Sequence, residues 1–240
     1  MARPRLHRLG WWLAGSLVVL VIAVAGGTWL YIHVIEGPAP APLSLKSPAG
    51  SVTASTGSAS STASAAAVAG TWRVAPGSIV GYRVNEVLAG QDNIAVGRTS
   101  DITGSLTISG STVRAASFSV PMDTIRSDES ERDAQFNGRI METTTYPTGT
   151  LSLTAPIALG ALPSEQVIKT YHATADLTLH GHTRTVSFAL QAERTAAGIE
   201  VSGSIPILFA DWDIGNPSFA GFVTTQNHGL LEFLIKFSRS

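Results

Sequence analysis

The chain has no cysteine. That absence excludes a disulfide framework, a thiolate metal site, a cysteine nucleophile and the lipidated cysteine of a lipoprotein anchor, so the compartment has to be argued from topology. Neither basic nor acidic residues are in excess: a formal net charge of -1 over 240 residues leaves no basic footprint for nucleic acid. Ser78, Ser187 and Ser204 lie in no G-x-S-x-G elbow, which argues against a serine hydrolase. There is no H-E-x-x-H. His180 and His182, with His172 or His228, could in principle hold zinc, but no acidic ligand stands near them in spacing and a hairpin tip needs no such function. Neither a metal nor a catalytic residue is expected, and both tip histidines should tolerate Asn.

Leu9 to Ile35 contains no Asp, Glu, Lys or Arg. About 27 helical residues at ~1.5 Å each span ~40 Å, more than a ~30 Å hydrocarbon core, so 9–35 reads as a transmembrane signal anchor. Trp11, Trp12, Trp29 and Tyr31 sit where aromatic belts meet headgroups. Arg3, Arg5 and Arg8 keep residues 1–8 cytoplasmic and put the rest outside: a single-pass protein of the cell membrane. The rival reading is a cleaved signal peptide, because Ala23-Val24-Ala25 has the small-x-small form of a cleavage site. Pro38 to Pro42 alternates Pro and Ala, and Ser44 to Gly70 is Ser, Ala, Thr and Gly with little to bury. Residues 36–70 therefore read as a tether without structure of its own.

The folded part, 71–240, is punctuated as an all-β domain, with short alternating runs and frequent Gly, Pro or Asn turns. Tyr171, Ala173, Ala175, Leu177 and Leu179 alternate with polar residues, and Val186, Phe188, Leu190 and Ala192 resume the alternation after Gly181-His182. That is a hairpin with one buried face and Gly181-His182 as its tight turn. About eight strands in this length close into an antiparallel, lipocalin-like barrel able to hold one ligand. Ser127 to Gly138 interrupts the pattern as one short exposed helical crossing, capped by Ser127 and ended by Gly138. Ala173, Ala175 and Gly203 are small residues at interior-phase positions, as an open lumen would need.

Asp176-Leu177-Thr178-Leu179-His180-Gly181-His182-Thr183-Arg184 resembles the D-L-T-hydrophobic-x-G-x-T-K/R hairpin of the YceI-like family of lipocalin-like, polyisoprenoid-binding proteins. Trp72 six residues before Ser78, Met122-Asp123-Thr124-Ile125, Arg132-Asp133 and Tyr146-Pro147 follow in the family's order. Glu86 departs from it, standing where many relatives have a histidine, as does Phe209 to Gly215 in place of R-x-D-F-G. The resemblance implies an eight-stranded barrel with a long apolar lumen that holds an isoprenoid-type lipid or fatty amide outside the cytoplasm, without a cofactor. The implied lining is Tyr82, Val84, Phe118, Met122, Phe136, Tyr146, Leu151, Leu153, Ala173, Ala175, Leu177, Phe188 and Trp212. It further implies that Arg132 and Asp133 fix the crossing over the barrel mouth, against the alternatives of a solvated charged face or an acid/base pair. The expected partners are a lipid and the membrane, with a homodimer left open. Two other functions stay in view: a cell-envelope enzyme acting on a lipid-like substrate, and a filled barrel that is a structural or interaction module.

Overall fold

The run from Tyr171 to Leu179 is a strand whose odd positions are all buried. It belongs to a computed structural model that describes residues 39–45, 68–88, 90–162, 165–219, 221 and 223–240. Among these residues the strands are β1 (Gly70–Val74), β2 (Ile79–Leu88), β3 (Gln91–Thr99), β4 (Thr103–Ser109), β5 (Thr112–Pro121), β6 (Thr148–Leu153), β7 (Ile157–Ala158), β8 (Lys169–Leu179), β9 (His182–Thr195), β10 (Gly198–Leu208), β11 (Val223–Thr225) and β12 (His228–Arg239). Eight of them close a ring of antiparallel pairs in the order β1-β4-β5-β6-β8-β9-β10-β12 and back to β1. Closure leaves the ring no free edge.

Strand β12 is shared by two neighbours. Its last residues, Phe237 to Arg239, pair with β1, whereas Leu230 to Leu234 pair with β2. The β2–β3 hairpin thus carries the wall past β1, and a bridge between Arg98 and Arg126 joins it to the chain leaving β5. The upper end of the barrel carries the β2–β3 and β8–β9 turns; the lower end carries the β4–β5 and β9–β10 turns.

Two details correct the sequence reading. The β8–β9 turn is His180-Gly181, with φ of 46° and 75°, and His182 already opens β9. Two consecutive positive φ values make the two-residue turn that matches strand twist, and they shift the tip one residue earlier than the glycine alone suggested. The crossing is α1 (Ser130–Gln135), with Glu129 at its N-cap, followed by a π turn over Phe136–Ile140 that runs past Gly138. Ser127 lies two residues before the cap: its Oγ accepts from the Glu129 N–H at 3.2 Å, while its backbone N–H and its hydroxyl both donate to Asp133 Oδ1, each at 2.8 Å. The π turn sets Phe136, Ile140 and Met141 against the core, so the crossing is only half exposed.

Buried apolar side chains form two clusters. The upper one gathers residues such as Met122, Phe136, Leu177, Phe209 and Trp212; the lower one gathers Trp72, Leu106, Ile108, Tyr171 and Phe237. Below β1, Val68 is buried and its carbonyl accepts the Trp72 indole N–H at 2.8 Å. Residues 39–45, read from composition as part of a structureless tether, are laid along the outer wall, where Leu45 is buried and its N–H donates to Ser202 Oγ at 3.3 Å. The expected membrane span, 9–35, lies outside the described residues, among which no helix is long and apolar enough to cross a membrane.

Candidate functional site

A cavity of about 340 Å³ runs through both clusters, from Leu159 and Leu162 near the lower end to Glu86 and Arg132 near the upper end. Its wall is built by the inward phase of the ring strands. Along β8 the wall residues are Tyr171, Ala173, Ala175, Leu177 and Leu179, and β9 adds Phe188 opposite Ala173 and Leu190 opposite Tyr171. Ala173 and Ala175 leave room that a larger side chain would fill, and both are almost fully buried. The volume lies within the range of small-molecule sites, and the lining is almost wholly apolar.

Most of the lining expected from the sequence is brought together here. Tyr82 and Val84 on β2, Phe118 on β5, and Leu151 and Leu153 on β6 all reach the cavity. Met122 and Phe136 reach it from the segment that crosses the upper end, and Ala173, Ala175, Leu177 and Phe188 from the hairpin. Tyr146 and Trp212 do not line it, which corrects that expectation. The Tyr146 ring lies edge-on to His180 with centroids 4.5 Å apart. The Trp212 indole donates to the Leu177 carbonyl at 3.2 Å, and the Trp212 carbonyl accepts from His180 Nδ1 at 3.2 Å. Both rings are occupied in bracing the β8–β9 turn. Gly203 also departs from expectation: a Cβ there would sit 2.7 Å from the Phe233 ring, so the space it leaves is filled by a neighbour and adds nothing to the lumen.

Polar groups gather at the upper end. Arg132 pairs with Asp128 and lies 3.4 Å from Glu86, which also accepts from Asn93 Nδ2 at 3.0 Å. Tyr82 stacks on Phe136, with centroids 5.2 Å apart and planes 16° from parallel. Burial pushes the Tyr82 hydroxyl well above the ordinary phenol range, with Arg132 pulling the other way, so it stays a neutral hydroxyl at this end of the wall. Asp133 faces away from the cavity and ties Ser127 to α1. The arrangement offers an apolar bore with a hydrogen-bonded charged cluster at its upper end, while at the lower end Arg194, 3.6 Å from Glu165, also lines it.

Glu86 was singled out in the sequence only as a departure from a motif. Its phase marks it as inward, two residues beyond Val84 on the face of Tyr82, and that signal would have placed it in the lining. Apart from Tyr171, which shares the buried face of the hairpin, the lower half of the bore, including Leu106, Ile108 and Ile199, was also missed, although its residues alternate as regularly as those above.

A family model for the YceI-like domain matches residues 72–237. A structure described as a polyisoprenoid binding domain from Saccharophagus degradans, implicated in plant cell wall breakdown, superposes with a TM-score of 0.58 at 15% identity, covering 72% of this chain and 99% of that one. BcnA from Burkholderia cenocepacia superposes with a TM-score of 0.50 at 18% identity, covering 64% of this chain and 94% of that one. At these identities the likeness is one of fold. No curated protein matches the chain in sequence.

Proposed function

Since the chain belongs to the YceI-like domain family, we propose that it is a binding protein that holds a long-chain amphiphile, of isoprenoid or fatty-amide type, in the barrel lumen. The observation that carries this reading is the cavity itself, continuous from Leu162 to Arg132 and walled by apolar side chains. A filled barrel would not leave such a space, because an empty bore forfeits dispersion contacts along its whole lining. A bound chain restores them and removes its own methylenes from water, at about 0.8 kcal/mol for each CH₂. Tyr82, Arg132 and Glu86 at the upper end suit a polar head, which keeps the tail in the bore and the head at the mouth. No bond is made or broken in this role. The apolar run from Leu9 to Ile35 would tether the barrel to the outer face of the cell membrane, where such amphiphiles are dissolved.

The test compares the full-length chain with its Ala175→Phe variant, each purified in mild detergent, extracted for lipid and melted. Ala175 lines the cavity opposite Val186, so a phenyl group there projects into the space the tail would use. The expected result is a chain-like lipid at near-stoichiometric amount in the parent and little in the variant, with the melting temperature of the delipidated proteins close to equal. A folded parent that never yields lipid, together with a variant destabilised by the ~1–3 kcal/mol typical of overpacking, would sink the reading and leave a solid barrel.

A further inference from the structure

Residues 39–45 run diagonally across the outer wall of β10, β12, β2 and β3. The Arg83 guanidinium donates to the Pro40 carbonyl, the Arg98 guanidinium to the Ala41 carbonyl, and the Leu45 N–H to Ser202 Oγ. Beneath them Glu232, an outward-facing residue of β12, is only 4% exposed. Arg83 Nε holds one of its carboxylate oxygens at 2.8 Å, and Arg98 Nη2 lies 3.5 Å from the other. Arg83 is hydrogen-bonded to that carboxylate and Arg98 stands within ion-pair range of it, and each also turns an N–H group to a backbone carbonyl of the strap. An Ala-Pro-Ala-Pro-Leu sequence is suited to accept them, since a polyproline helix has no internal hydrogen bonds and little conformational freedom left to lose.

The register gives this strap a direction. Ser202 is level with Leu234, Arg98 with Gly81 and Glu232, and Arg83 with Leu230. From Leu45 back to Pro40 the strap therefore climbs toward the upper end. Ile35 lies four residues before Ala39, at most ~14 Å of extended chain. An undocked tether of about 32 residues would instead let the barrel wander at roughly 30 Å from the membrane in any orientation.

Above the strap, the same outer wall carries exposed apolar side chains: Val87 (36%) on β2, Ile94 (38%) on β3 and Leu208 (42%) on β10. Beside β11, Phe219 is 57% exposed, with the Arg139 guanidinium 5.8 Å from its ring centroid. An aromatic ring paired with arginine on an apolar rim suits the headgroup boundary of a bilayer. We propose that the docked strap seats the barrel on the outer leaflet with the rim of Val87, Ile94, Leu208 and Phe219 against the lipid, so that the polar end of the bore opens at the membrane surface. This rests on the reading of 9–35 as a membrane anchor.

The lack of cysteine makes single-site labelling direct. Val87→Cys reports the rim, and Ser111→Cys, in the exposed β4–β5 turn, reports the lower end. Each labelled full-length chain is reconstituted into phosphatidylethanolamine and phosphatidylglycerol vesicles doped with nitroxide lipid, and flotation is measured on the same samples. Quenching several-fold stronger at position 87 than at 111 is expected. That ratio should fall toward one when Leu45→Asp, Pro40→Gly and Pro42→Gly undock the strap while circular dichroism and lipid content hold. A chain that floats with equal quenching at both positions overturns the seating and leaves the anchor standing. A strong ratio that survives undocking overturns the role of the strap. A chain that does not float overturns the anchor and the seating with it.

Discussion

His180 and His182 flank one glycine and do different things. His180 occupies the turn at a φ of 46°, is buried, and holds the Trp212 carbonyl while the Tyr146 ring packs against it. A carbonyl only accepts, so Nδ1 carries the proton in that contact. His182 is half-buried at the start of β9. Both were expected to tolerate Asn; the burial of His180 and its bond to the Trp212 carbonyl argue for a cost at that position and not at His182. His180→Asn keeps a side chain that tolerates positive φ, which isolates the loss of the ring. It should destabilise the barrel by about 1–2 kcal/mol, and His182→Asn should stay within roughly 0.5 kcal/mol. Urea unfolding of the two single variants measures both; equal midpoints would show that the contact to Trp212 carries no net stability. The sequence could not separate the pair, because what buries His180 is the turn Phe209–Trp212, about thirty residues away and without a period of its own.

Strands were more legible than what fills the space between them. A period of two assigns each side chain to a face, and the inward face of β8 is as buried as its pattern implies. It says nothing of what stands across from a glycine. In this barrel aromatic rings do: Tyr82 lies over Gly97, Phe118 over Gly104 and Phe233 over Gly203. In each case the ring covers backbone that a side chain would otherwise shield. This is why Gly203 looked like open lumen and is not. A Cβ at Gly97 would stand 2.3 Å from the Tyr82 ring, so Gly97→Ala should cost about 1–3 kcal/mol by overpacking. Adding Tyr82→Leu removes the clash and should recover part of that loss, giving a favourable coupling energy in a double-mutant cycle. Additive losses would mean that the ring gives way freely. The short strands β7 and β11 escaped the sequence reading for a related reason: two or three residues cannot display a period.

At the scale of the whole molecule, the strap was the least legible feature. Ala-Pro repeats carry no face, and Arg83, Arg98 and Glu232 look like ordinary outward polar residues until the register brings them together. The orientation of the chain across a membrane, by contrast, is argued from sequence alone. Three arginines precede Leu9, whereas the first positive residue after Ile35 is Lys46, so with Leu9 to Ile35 as the anchor we propose, the positive-inside rule predicts a cytoplasmic N-terminus and a barrel outside. Epitope tags at the two ends of the full-length chain test this in intact spheroplasts. The tag after Ser240 should be lost to added protease, whereas the tag before Arg3 should survive until the cells are lysed. The reverse pattern would put the barrel in the cytoplasm and remove the outer-leaflet source of its ligand. Loss of both tags without lysis, with the barrel found in the medium, would mean that the apolar segment is cleaved as a signal peptide at Ala23-Val24-Ala25.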